Sequence, residues 1–90
     1  MVNAELESLR RQIDTIDASI VELLASRFRI TAQVGELKAR DGLAAVDSAR
    51  EAQQQASYRE LAESHGLNPE LVVSVFRQVI DQVVVNHRAA

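Results

Sequence analysis

Ninety residues suit a single domain with a modest buried core, and a formal net charge of −3 with a pI near 5.3 gives no general attraction to phosphate backbones or anionic lipid. The lack of cysteine excludes disulfides, thiolate metal sites and cysteine nucleophiles. With 47% hydrophobic but only 3% aromatic residues the composition favours helices packed through Leu, Ile, Val and Ala, and no apolar run approaches the length of a membrane span or signal core, so the cytoplasm is the expected address, with neither nucleic acid nor membrane as partner.

Apolar positions run from Leu6 through Leu9, Ile13, Ile16, Ile20 and Leu23, and resume at Ile30, Val34 and Leu37, in steps of three and four. Such spacing draws one stripe along a helix, the seam of a coiled coil. Asn3 is placed to cap the start, and Gly42 to end the helix just after Lys38, Arg40 and Asp41. The resulting rod of about 35 residues is about 50 Å long, whereas a compact globule of this size has a radius of gyration of about 12 Å. One copy cannot cover it, so a second copy packed along the seam about a two-fold axis is expected. The step after Leu23 falls on Arg27, a permanent charge where the pattern wants an aliphatic side chain.

Leu43-Ala44-Ala45-Val46 reads as a short linker, and Asp47-Ser48-Ala49-Arg50-Glu51 opens a second helix with Ser48 and Glu51 at capping-box spacing. This helix ends at Gly66. Its inner face, Ala49, Ala52, Ala56, Leu61 and Ala62, is thin, so it should lie close against the long helix. Asn68-Pro69-Glu70 then supplies the cap, first-turn proline and first-turn acid of a third helix carrying Val72, Val75, Phe76, Val79, Ile80 and Val83 inward. The run Val83-Val84-Val85 favours a strand on propensity alone, but the cap signals and helical spacing outweigh it. The expectation is an all-α protein of three helices per subunit with a long first helix, one domain over residues 1–90 and no internal repeat.

Arg27 and Lys38 are eleven residues apart on one helical face, about 16 Å, so a small dianion fits between their long side chains. The pair also has a purely structural reading, with Arg27 setting register in the seam and Lys38 a cation near a helix C-terminus. Arg10 lies nearly five turns before Arg27, too far to share a ligand with it in one subunit; it is either solvated or, in an antiparallel dimer, reaches the partner's pocket. Asp47 and Glu51, beside Arg50, suit the ordinary roles of cap and first-turn acid. His65 reads as a surface residue at a helix C-terminus. Neither it nor His87 belongs to a metal-site pattern such as HExxH, so no metal is expected.

Taken in order, Leu9-Arg10-Arg11-Gln12-Ile13-Asp14 with Ile16-Asp17, Leu23-Leu24-Ala25-Ser26-Arg27, Val34-Gly35-Glu36-Leu37-Lys38 and Val46-Asp47-Ser48-Ala49-Arg50-Glu51 resemble the AroQ-type chorismate mutases. The resemblance covers nearly the whole chain. Its most specific part is the ordered set Arg10, Arg27, Lys38, Asp47, Arg50 and Glu51. It implies an intertwined homodimer of three-helix subunits that rearranges chorismate to prephenate, a step toward phenylalanine and tyrosine, with no cofactor. By the same resemblance Arg27, Arg50 and Arg10 of the partner subunit hold the two substrate carboxylates, Lys38 faces the ether oxygen, and Glu51 with Asp47 accepts the ring hydroxyl.

Two positions depart from the family's pattern. Where well-studied members carry a serine and, four residues on, a glutamine in the site, this chain has Val83 and His87. The serine contact is lost, while His87 offers a ring nitrogen to the ether oxygen, which implies activity that varies with pH near neutrality. With Ala90 three residues beyond His87, the end of the third helix is expected to be weakly held. The chain is most similar to the short intracellular subclass, which is weak alone and activated in complex with DAHP synthase. An isochorismate pyruvate lyase on the same fold, and a non-catalytic helical dimerisation module in which Arg27 only sets register, are the alternatives.

Overall fold

A computed structural model describes residues 3–44 and 47–89, so the linker residues Ala45 and Val46 lie outside the described residues. Three helices follow in order: α1 Ala4–Asp41, α2 Ser48–Ser64 and α3 Pro69–Ala89. The all-α expectation holds, and the β-branched end of α3 is helical. No helix among the described residues is long and apolar enough to cross a membrane. The chain divides into two compact units, residues 1–31 and 32–90, and α1 contributes to both.

Local chemistry sets the ends of each helix. Asn3 Oδ1 accepts the Leu6 amide at 3.0 Å and the Asn3 carbonyl accepts the Glu7 amide, which begins α1. Its far end stops at Gly42, whose φ of 65° is a left-handed turn, and the Leu43 amide closes back on the Lys38 carbonyl at 2.9 Å. Acidic Glu5 and Glu7 in the first turn and basic Lys38 and Arg40 in the last complement the helix dipole. At α2 the cap stands one residue earlier than the Ser48–Glu51 spacing suggests. Asp47 is extended (φ −124°, ψ 98°) and its Oδ1 accepts the Arg50 amide at 3.1 Å, leaving Ser48 as the first helical residue. A carboxylate at that point bonds the third amide and meets the helix dipole, so no serine box is required. The α2–α3 turn is a Schellman closure, with Gly66 at φ 70°, its amide on the Glu63 carbonyl and the Leu67 amide on the Ala62 carbonyl. Asn68 Oδ1 then accepts the Glu70 amide at 3.0 Å and Pro69 begins α3.

In the first unit α1 buries no residue, and Leu6, Leu9, Ile13, Ile16, Ile20 and Leu23 are 43% to 70% exposed. The packed core belongs to the second unit, where α2 lies against α3 rather than against the long helix as its thin face suggested. Tyr58 and Ala62 of α2 and Val73 and Val79 of α3 are buried, and the Tyr58 ring stacks on Phe76. Leu61, expected inside, is exposed, as are Ala49, Ala52 and Ala56. The face of α2 is turned so that Tyr58 and Ala62, one turn apart, point inward together; the aromatic ring fills the space while the methyl lets the backbones close. Of the α3 positions expected inside, Val72, Phe76, Val79, Ile80 and Val83 are at least partly covered and Val75 is exposed. At the rim, Arg59 and Glu70 form an ion pair of 2.6 Å between the two helices.

Candidate active site

Arg10 and Arg27 belong to the first unit. Arg10 is solvent-facing and paired with Glu7 at 3.3 Å, one helical turn away. Arg27 differs: it is half-buried, and its Nη1 is sealed from solvent. A guanidinium keeps its charge under these conditions, so the seam holds a cation that has given up part of its hydration.

The remaining expected site residues belong to the second unit, and two of them reach one face of α1 there. His87 of α3 lays its ring against Gly35, so closely that a Cβ built at position 35 would stand 2.7 Å from Nε2 and 2.9 Å from Cδ2. Lys38, half-buried, is three residues beyond Gly35 on that face. Val83, also half-buried, lies one turn before His87 on α3. Thus an imidazole and an ammonium are carried to neighbouring turns of α1.

Asp47 and Arg50 mark the start of α2. Asp47 is engaged as its cap, and the Arg50 guanidinium bonds Gln53 Oε1 at 3.1 Å from an exposed position. Glu51 faces another way, into an open groove of about 250 Å³ between α2 and α3 that Gln54, Tyr58, Arg77, Ile80 and Asp81 also line. Val73, Ile80 and His87 recur every seven residues, so the stripe of α3 that floors this groove leads to His87 two turns beyond Ile80.

Sequence reasoning missed the groove residues Gln54, Tyr58 and Arg77, which no motif singles out. Gly35 was legible only as part of a motif. The available signal was a lone glycine inside a strongly helical pattern, where close approach by another group is the usual physical reason.

Within the second unit the cations Lys38 and Arg50 and the carboxylate Glu51 are groups suited to binding an anion and a hydroxyl, Lys38 on α1, Arg50 at the start of α2 and Glu51 in the α2–α3 groove. Comparison with known proteins gives the family. The chain is 46% identical over 77 residues to the T-protein of Enterobacter agglomerans, covering 86% of this chain and 21% of that protein. It is 31% identical over 81 residues to the T-protein of Haemophilus influenzae, covering 90% of this chain and 22% of that one. The chain therefore spans about a fifth of the length of these relatives. It is 28% identical over 86 residues to the chorismate mutase of Methanocaldococcus jannaschii, covering 96% of this chain and 82% of that enzyme. Residues 9–88 match the family model of chorismate mutase type II, a span that takes in Arg10, Arg27, Lys38, Asp47, Arg50, Glu51 and His87, and the chain belongs to that family.

Proposed function

We propose that this chain is a chorismate mutase acting as a homodimer. The observation that carries the reading is the family match over residues 9–88, with Arg10, Arg27, Lys38, Asp47, Arg50 and Glu51 all present within it. Chorismate rearranges within itself: the ether carbon–oxygen bond breaks, a carbon–carbon bond forms, and no proton, nucleophile or cofactor takes part. The protein's contribution is then positional and electrostatic. Arg27, Arg50 and Arg10 of the partner subunit hold the two carboxylates in the folded conformer, which removes much of the entropic barrier. Lys38 and His87 face the ether oxygen, where negative charge grows as the carbon–oxygen bond lengthens, and stabilise the transition state more than the substrate. Glu51, with Asp47, takes the ring hydroxyl, and Val83 lines the pocket without a hydrogen bond.

The dimer is supported by the apolar stripe of α1. The nine aliphatic positions of that stripe, from Leu6 to Leu37, are 40% to 70% exposed in the single chain, a load that solvent does not favour. A second copy along that stripe covers it and brings Arg10 to the partner's site. The substitution of Val83 and His87 for the usual serine and glutamine supports a modest intrinsic rate, raised on complex formation with DAHP synthase in the cytoplasm.

Purified protein should consume chorismate and release prephenate, faster when the cognate DAHP synthase is added. No turnover of chorismate by a well-folded dimer, with or without that enzyme, refutes the proposal; turnover of isochorismate instead would assign a lyase.

A further inference from the structure

Gly35 lies inside α1, yet its backbone gives it no reason to be glycine. The glycines with positive φ are Gly42 and Gly66, both at helix ends, and Gly35 keeps an ordinary helical conformation that alanine adopts more readily. What is unusual at position 35 is the space. The His87 ring occupies the volume a side chain would need: Nε2, Cδ2 and Cε1 stand 2.7, 2.9 and 3.2 Å from an ideal Cβ. Two of these three ring atoms, Nε2 and Cδ2, stand closer than the 3.0 Å that real Cβ contacts essentially never pass, so a side chain at position 35 requires the ring to move. The approaching edge is the Nε2 edge, so bare α1 backbone is what the ring end rests upon.

We propose that Gly35 is the positioning residue for His87: the missing side chain makes a seat on α1, one turn before Lys38, that fixes where the imidazole stands. His87 is two turns beyond the groove residue Ile80 and, like its neighbours Val84, Val85, Asn86 and Arg88, is exposed. The seat gives a side chain near a helix end a contact with bare α1 backbone. The catalytic consequence, a ring nitrogen held for the ether oxygen, rests on the mutase reading; the seat itself does not.

The two histidines of the chain make the test internal. In protein labelled with 15N in its imidazoles, Gly35→Ala should shift the ring signals of His87 and leave those of His65, which caps α2 and bonds Ser64 and Leu61, where they are. Thermal stability gives a second measurement. Gly35→Ala should raise the melting temperature by roughly 4–8 °C in a His87→Ala background, as removal of a helix-interior glycine does in a domain of this size, and by much less in the parent. Turnover gives a third: kcat in Gly35→Ala should fall about tenfold, to the level of His87→Ala, with no further loss in the double variant, as for groups acting through one contact. Unmoved His87 signals, an equal gain in melting temperature in both backgrounds, or undiminished kcat in Gly35→Ala overturns the assignment. Absence of turnover in the parent protein would refute the mutase reading instead, and the ring signals and melting temperatures would still decide the seat.

Discussion

Tyr58 of α2 and Phe76 of α3 lie ring on ring, their centroids 4.1 Å apart and their planes 7° from parallel. Two of the chain's three aromatic residues are thus spent on one contact, and it joins the only helix pair with an extensive interface among the described residues. Removing the ring leaves a void against Val73 and Ala62 that the hairpin cannot close, so Tyr58→Ala should destabilise by about 3 kcal/mol in urea unfolding while Tyr58→Phe keeps most of the stability. A Tyr58→Ala cost below about 1 kcal/mol would mean the stack does not hold the helices together.

The exposed ion pair between Arg59 and Glu70 ties the same two helices at their rim. The hydrogen bond and the charge of Arg59 hold the Glu70 carboxyl below its ordinary value of 4.5, and Glu70 in turn raises Arg59. A carboxyl whose folded-state value is depressed adds stability above its ordinary range, and that addition fades as pH falls through the folded value. Parent protein should therefore melt slightly higher than Glu70→Gln at neutral pH, and the gap should vanish in strong acid and shrink in high salt because the pair faces solvent. A gap unchanged by both acid and salt contradicts the ion pair as its source.

Asp47 has two assignments that one substitution separates. As the cap of α2 it needs only an oxygen acceptor, which asparagine supplies equally well; as a partner of the substrate hydroxyl it needs the charge. Asp47→Asn should keep the stability of the parent and lose activity, whereas Asp47→Ala should lose about 1 kcal/mol as well. Full activity in Asp47→Asn would leave only the capping role.

Ile16, at 58% exposure, lies midway along the uncovered part of α1. If a second copy covers it, Ile16→Glu buries a carboxylate in an apolar seam: the dimer should dissociate in sedimentation, helix content should fall, and the melting temperature of the parent should rise with protein concentration. An effect within about 0.5 kcal/mol, with no change in sedimentation, is the behaviour of a solvated surface position and would rule the seam out as an interface.

Arg27 decides between catalysis and register. Arg27→Ala should lower kcat/KM by about 10²–10³ while the helices persist, the scale of losing one preorganised contact to developing or bound charge. A register device behaves otherwise: Arg27→Leu would stabilise the assembly and turnover would be untouched.

The sequence by itself determined what depends on neighbours within about one turn. Asn3, Gly42, Asp47, Gly66, Asn68 and Pro69 announce the helix ends because caps and left-handed turns are chemistry between residues close along the chain. The apolar stripe of α1 and the charge that interrupts it at Arg27 were legible for the same reason, since helical period alone puts them on one face. Tertiary structure alone decided which face of α2 turns inward, that Tyr58 rather than Leu61 meets α3, and that His87 comes to rest on Gly35, a residue 52 positions earlier in the chain. Such contacts are chosen by the volumes that fit when whole helices pack, and a methyl group absent at position 35 has no local consequence until a ring arrives to fill its place.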